Sequence, residues 1–531
     1  MKNRREFLAA AAALILSSRL NAATGHLKLN APAAPGAPTV KANLTVSATR
    51  GRVIPVNFTG LSYESQQLSD PDFFSPANHG LIAQFKALSP HGVLRLGGNT
   101  SDFSWWKPTA DTPAPVRAER PNTTGEPQAN VSYPITPAAI DQLKKFLHAT
   151  GWTCIYGLNL GTGIPAVVAD EAACVAATLG PQLEYFQLGN EADLFGKHLR
   201  DGDTWTPDAF FAEWLALART VLARVPGALF GGPDTASRGA WIAAFGENYA
   251  RTPNPPRVVA ITHHHYAGGP PSSEKMTIPF LLGGSRTDHT VDAIAAIATT
   301  AAAQAHSGIR LTEGNTCYRG GKPGVSDVFA ASLWSADYLL HLASLGYSGV
   351  NLHGGDGKMV ANSLGGTLPG ELLMKNPNEP HPRPFYTPIA HIGNSYVAEP
   401  IFYGMLFAQQ FAGATLLDVD FNPVFTPVGS TQSTAANATA FAAIRPDGKT
   451  IVAIINKDVT NDLMVRVTGM AQSSVLRLTA SAPDARDVTF AHAAVTATGV
   501  WDAKPESAVI YYGHNAPLRI AKASAVLIVS R

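Results

Sequence analysis

The stretch Leu183-Glu184-Tyr185-Phe186-Gln187-Leu188-Gly189-Asn190-Glu191 decides how the chain is read. A strand-like run ends in glycine, and a polar Asn-Glu pair follows at once, as where a barrel strand delivers functional side chains at its carboxyl end. Similar short apolar runs recur at 93–96, 153–158, 228–231, 258–261, 309–312 and 349–352, with an earlier one at 58–63. Helical patterns lie between them, among them 136–150, 207–225, 291–306 and 327–345. Strand-helix alternation of this kind predicts parallel strands joined by crossover helices. Eight strands favour a closed (β/α)8 barrel over residues 58–412 rather than an open sheet, and no Gly-x-Gly-x-x-Gly follows the first strand to mark a dinucleotide site.

Outside that span the texture changes. From residue 413 to 531 strands alternate with turns, as at 440–445, 450–456 and 526–529, which predicts an antiparallel β-sandwich. Residues 44–49 and 53–55 alternate in the same way, so the segment 24–57 is read as an Ala/Pro-rich linker (31–38) followed by N-terminal strand material for that sandwich. Residues 1–23 carry Asn3-Arg4-Arg5-Glu6-Phe7-Leu8 and an Ala-rich apolar run, the pattern of a twin-arginine export signal, with cleavage expected near Ala22 or Ala23. The expected location is periplasmic or secreted. The run is shorter than the roughly 20 residues a membrane span needs, and no later stretch is long and apolar enough.

Composition narrows the function. Of 531 residues 45% are hydrophobic and 15% charged, with 47 Gly and 39 Pro, which suits a loop-rich folded enzyme. Forty basic and thirty-nine acidic residues leave a net charge of +1, so no overall field exists to hold nucleic acid or an anionic membrane. Cys154, Cys174 and Cys317 could form one disulfide at most, and Cys317, though four residues beyond Glu313, has no base beside it and reads as a packed thiol. His263, His264 and His265 are consecutive, so on a strand they face alternate sides and suit sugar contact or core packing rather than a metal site. Trp105 and Trp106 suit a sugar face or the core equally.

A second strand ends in a carboxylate at Ile309-Arg310-Leu311-Thr312-Glu313-Gly314-Asn315. Glu191 and Glu313 close strands four and seven of the eight, which places them across one mouth. Glycoside hydrolysis uses such a pair, one carboxyl protonated for the leaving oxygen and one ionised against the developing oxocarbenium ion. A separation of roughly 5 to 5.5 Å means retention, and about 6.5 to 9.5 Å means inversion.

In this context the chain resembles the clan A retaining glycosidases, and within them glycoside hydrolase family 79, the β-glucuronidase and heparanase-like group. The motifs run in order through Leu61-Ser62-Tyr63-Glu64, Leu94-Arg95-Leu96-Gly97-Gly98-Asn99-Thr100-Ser101-Asp102, Gly189-Asn190-Glu191, His264-His265-Tyr266, Thr312-Glu313-Gly314-Asn315 and Phe385-Tyr386-Thr387-Pro388. The resemblance implies Glu191 as acid/base and Glu313 as nucleophile. It also implies Asn190 on the sugar 2-hydroxyl, Tyr266 on the nucleophile, and Glu64 and Asp102 on hydroxyls at the far side of the ring. Tyr318-Arg319-Gly320 matches the loop that receives the sugar carboxylate in bacterial β-glucuronidases of the family, with Tyr386 approaching from the next loop. Members of that group carry an uncharged side chain at the place of Arg319, so a guanidinium there is a departure that could bind a uronate bidentately. The implied activity is exo-acting removal of terminal β-glucuronic acid from an oligosaccharide or glycoside, by a monomer needing no metal or cofactor. An endo-acting heparanase-like hydrolase or a β-galacturonidase is the nearest alternative, and a non-catalytic polysaccharide-binding protein a more distant one.

Overall fold

A computed structural model describes residues 38–116, 131–287, 290–374, 384–425, 432–470, 472–508 and 517–531. The expected export signal, and all of the expected linker but Pro38, lie outside them. After a first strand, β1 (Thr39–Val53), eight parallel strands close a barrel: β2 (Thr59–Glu64), β3 (Val93–Gly97), β4 (Thr153–Leu158), β5 (Leu183–Leu188), β6 (Phe230–Thr235), β7 (Val258–Gly268), β8 (Gly308–Cys317) and β9 (Val350–Gly354). Each pairs with the next, and β9 returns to β2 with Leu352 opposite Leu61.

Each strand is followed by a helix of the outer layer: α1 (His79–Leu88), α2 (Pro137–Thr150), α3 (Pro165–Leu179), α4 (Pro207–Arg224), α5 (Gly239–Arg251), α6 (Thr290–Ala305), α7 (Phe329–Leu345) and α8 (Pro400–Gln409). Local chemistry sets their ends. Thr136-Pro137 and Thr206-Pro207 open α2 and α4: each threonine Oγ1 accepts an amide three residues on, and the proline occupies a position whose N–H has no helical partner. Gly151 ends α2 in the left-handed region.

The remaining chain builds a second layered unit with strands β10 (Thr415–Phe421), β11 (Ala438–Ile444), β12 (Thr450–Asn456), β13 (Asp462–Thr468), β14 (Ser473–Thr479) and β15 (Ser524–Ser530). Their order is β14-β15-β12-β11-β10-β1-β13, extended by short strands at both ends. Side chains from both halves of this path, Leu44, Leu463 and Val465 from one and Val452, Ile454 and Val526 from the other, share one core, so the sheet curls over itself as a sandwich. The N-terminal segment does join it. Instead of two pieces it is one 15-residue strand with register shifts between Val46 and Val53, antiparallel to β10 and parallel to β13.

The sandwich and the barrel share side chains. In β12, Ile451, Ala453 and Ile455 enter the barrel's core while Val452 and Ile454 enter the sandwich's; in β15, Ala525 and Leu527 part from Val526 and Ile528 in the same way. This explains why these strands are apolar on both faces. At the same junction α7 is buried almost all round, and its Asp337 pairs with Lys457 at 2.6 Å, both closed to solvent. Among the described residues no helix is long and apolar enough to cross a membrane.

Candidate active site

Glu191 lies just past β5 with φ 48°, and its amide donates at 2.9 Å to the carbonyl of Asp234, itself at φ 59° where the register of β6 against β7 shifts between Pro233 and Thr235. Left-handed backbone at a non-glycine residue costs on the order of 1 kcal/mol and persists where surrounding bonds impose it. Here two such residues hold each other.

Glu313 is inside β8, and the register slips between Leu311 and Glu313 against β7 and between Leu311 and Gly314 against β9. Neighbours on a regular strand face opposite sides. The slip lets Thr312 and Glu313 both reach the barrel interior, where the Thr312 hydroxyl donates to Asp234 and Glu313 accepts from Arg95.

Arg95, in the middle of β3 and fully buried, ties these pieces together. Its guanidinium donates to Glu313 Oε2 at 2.7 Å, Asp234 Oδ2 at 2.6 Å, Asn190 Oδ1 at 2.8 Å, Gln187 Oε1 at 3.1 Å and Ser62 Oγ at 3.2 Å. Gly97 and Gly98 make room for it. A Cβ on Gly97 would collide with the guanidinium, and one on Gly98, at φ 72°, would collide with the Glu64 carboxylate.

A carboxylate oxygen of Glu191 and one of Glu313 lie within 4.8 Å of each other. Glu313 Oε1 also accepts from the Tyr266 hydroxyl at 2.8 Å. Burial pushes its acidity toward the neutral form, but His353, His264 and Arg95 outweigh that and, with the Tyr266 bond, hold it down at about 2. Glu191 keeps 18% of its side chain exposed against 8% for Glu313, so it is the one turned toward solvent. Its Oε1 meets His264 Nδ1 at 2.8 Å, and His264 Nε2 lies 3.2 Å from Asp234 Oδ1. Burial opposes a charge on His264, yet Asp234, then Glu313, and hydrogen bonds to Asp234 and Glu191 raise it to about 10. Glu191, His264 and Glu313 each bring a ligand atom to within 4.8 Å of the others, close enough to share a metal ion, and Asp234 behind the ring could take the imidazole's other N–H.

The other expected residues surround this pair. Asn190 accepts from Arg95, donates to Asn99 Oδ1 at 3.2 Å, and has a second amide hydrogen for a ligand. Asp102 spends its two oxygens on the backbone amides of Gly161 (2.8 Å) and Asn190 (2.9 Å), so it supports the Asn-Glu turn from below; burial raises it to about 7 against those bonds. Glu64 accepts from the amide and hydroxyl of Thr100, and its other oxygen lies 3.5 Å from His353. The Tyr266 ring meets Tyr318 edge-on at 6.2 Å and Tyr386 at 6.3 Å, making an aromatic wall that also reaches His353. Arg319, Gly320 and Gly321 follow Tyr318 at φ 60°, 88° and 83°, and the Arg319 guanidinium carbon sits 5.7 Å from the centre of the Tyr318 ring. Gly320 is buried beneath Leu368.

Four members of this site carried no assigned role in the sequence reading: Arg95, Asp234, His264 and His353. An arginine inside an apolar strand was the available signal for the first, and a histidine two before the expected tyrosine for the third. His263 and His265 face outward, bonded to the hydroxyls of Tyr347 and Tyr338 at 2.7 Å, as alternation requires. All three cysteines are free; Cys317 donates to the Gly269 carbonyl, and burial pushes its thiol up to about 12. Trp106 is buried and Trp105 half-buried.

No family model matches the chain. A β-glucuronidase of Aspergillus niger is 26% identical over 315 residues, covering 54% of this chain and 55% of that protein, and one of Neurospora crassa is 25% identical over 316 residues with 54% of each covered. The chain thus matches about half the length of these curated relatives. Among solved structures, a 4-O-α-L-rhamnosyl-β-D-glucuronidase from Fusarium oxysporum superposes with a TM-score of 0.66 at 17% identity, over 92% of this chain and 99% of that one. A family 51 α-L-arabinofuranosidase from Thermotoga petrophila gives 0.62 at 16% identity, over 92% and 100%. The resemblance to the β-glucuronidases of glycoside hydrolase family 79, read first from the motifs, extends to the sequence of named β-glucuronidases and to the barrel fold of solved glycosidases.

Proposed function

We propose that the protein is a retaining exo-β-glucuronidase acting on glucuronic-acid-containing glycans or glycosides. The observation that carries this reading is that Glu191 and Glu313, delivered by β5 and β8 to one mouth, bring an oxygen of each carboxyl to within 4.8 Å, a close approach of the kind that direct nucleophilic attack by one of the pair requires. In the first step Glu313, kept ionised, forms a bond to the anomeric carbon. The glycosidic C–O bond breaks with its electron pair leaving on the aglycone oxygen, and Glu191 supplies that oxygen with a proton. In the second step Glu191 takes a proton from water, which attacks the same carbon and releases Glu313. Tyr266 fixes the nucleophile, Asn190 offers an amide to the 2-hydroxyl, and Glu64 and Asp102 take the distal hydroxyls, as the resemblance implies.

Support for the uronate comes from the Tyr318-Arg319-Gly320 loop and Tyr386 beside Tyr266, together with the names of the curated relatives. A guanidinium stacked on Tyr318 gives a carboxylate a charged and planar partner. Export to the periplasm or medium is part of the proposal and rests on Arg4-Arg5 and the apolar run that follows.

The test is hydrolysis of p-nitrophenyl β-D-glucuronide and β-D-glucoside by wild type, Glu313→Gln and Arg319→Ala. Glucuronide cleavage is expected to fall by about 10⁴-fold or more in Glu313→Gln. Arg319→Ala should lower it by about 10-fold or more through loss of a charged hydrogen bond, leaving any glucoside cleavage unchanged. Cleavage of neither substrate by wild type would refute exo-glucuronidase action and direct attention to internal cleavage of acidic polysaccharides.

A further inference from the structure

We propose that Asp234 and His264 are positioning residues that work through Glu191, fixing one of its oxygens with a cationic imidazole so that the other faces the leaving group. The inference rests on Glu191 being the acid/base. Each ring nitrogen of His264 faces a different carboxylate, Nδ1 toward Glu191 at 2.8 Å and Nε2 toward Asp234 at 3.2 Å. With both carboxyls ionised a neutral imidazole, having one N–H, would leave one of them facing a lone pair; the imidazolium donates to both and keeps its bond to Glu191 after that residue has given up its proton.

The surroundings of the ring bear on its charge from every side. Glu313 Oε1 lies 3.9 Å from Nδ1, Arg95 Nη2 lies 3.5 Å from Nε2, and His263 and Asp193 interact electrostatically with it. Asp234 is anchored by Arg95 on Oδ2 and by Gln187 and Thr312 on Oδ1, the oxygen that also faces His264, and its carbonyl receives the Glu191 amide. One residue therefore fixes both the backbone of Glu191 and, through His264, its side chain. The Ser237 hydroxyl, donating to the His264 carbonyl, adds a third tie to the same loop.

In the bond-breaking step the proton of Glu191 passes to the departing oxygen, and the carboxylate left behind meets a cation already in place. No reorganisation is needed as that charge appears. The benefit is largest for poor leaving groups, which need the proton most.

The experiment compares kcat/KM, which reports the first step, on phenyl and 2,4-dinitrophenyl β-D-glucuronide for wild type and His264→Gln. The phenyl glycoside should lose about 30- to 100-fold and the dinitrophenyl glycoside less than about 3-fold, within the range for general acid catalysis. Equal losses on both would overturn the proposal. If wild type cleaves no glucuronide, the substrate reading fails separately, and the same leaving-group pair is used on the sugar that it does cleave. Nitrogen-15 NMR of the His264 ring, identified by its loss in His264→Gln, decides independently of substrate. A doubly protonated ring at pH 8 in wild type that becomes a neutral tautomer in Asp234→Asn supports the proposal, and a neutral ring in wild type at pH 8 overturns it.

Discussion

Arg95 with Asp234 and Glu313 at the barrel mouth, and Lys457 with Asp337 where α7 meets the sandwich, are both ion pairs closed to solvent, yet they are built differently. At the junction one cation meets one anion, and Asp337 also accepts the Thr439 hydroxyl at 2.6 Å. At the mouth Arg95 and His264 are shared among Asp234, Glu313 and Glu191, and the set stays open toward solvent at Glu191. The junction pair joins two cores, whereas the mouth cluster holds charge ready for a ligand. Equal burial thus hides opposite purposes, and the difference lies in where the leftover hydrogen-bonding capacity points.

Substitution should separate the two. The largest expected contrast is in activity, between Glu313→Gln, which abolishes turnover in the folded protein, and Lys457→Met, which removes the cation beside the buried Asp337. Lys457→Met should cost about 3 to 5 kcal/mol of stability in chemical denaturation, with specific activity of the folded fraction retained. If it lost activity as completely as Glu313→Gln, the division of labour would fail.

The pH dependence of stability sharpens the comparison. His264, raised from 6.5 to about 10, contributes stability in full below pH 6.5 and loses it as the pH rises toward about 10. Glu313, lowered from 4.5 to about 2, contributes above pH 4.5 and loses it as the pH falls toward about 2. Urea midpoints should therefore decline between pH 6.5 and 10 in wild type and decline less in His264→Gln; parallel curves would remove His264 from the charge balance of the mouth. The smallest effect belongs to the junction. Thr439→Val removes one bond to a buried carboxylate and should cost about 1.5 to 3 kcal/mol with turnover unchanged, read by the same denaturation.

The barrel was legible because its strands are short apolar runs alternating with helical patterns, signals that are local. Glu191 and Glu313 were legible because each follows an apolar strand. Arg95, Asp234, His264 and His353 acquire their roles only when four strands meet, and nothing near Asp234 in sequence announces that its carbonyl will hold Glu191. Asp102 is a mixed case: its place beside the expected sugar residues came from the motif, whereas its bonds to the Gly161 and Asn190 amides needed the fold to become visible. The doubly apolar character of β12 and β15 also needed tertiary context, since a strand between two cores and a strand in one deep core look alike in periodicity.

Strand β1 leaves the ribosome early, but its two neighbours, β10 and β13, are encoded beyond the whole barrel. At about 5 to 20 residues per second the intervening chain takes on the order of 20 to 70 s to make. Through that interval β1 is an unpaired edge, the kind of surface on which nascent chains associate wrongly. The exposed Arg50 and Arg52 at its end are the protection it carries while it waits. Deleting those charges would be felt first as a loss of yield during expression, before any change in the finished protein.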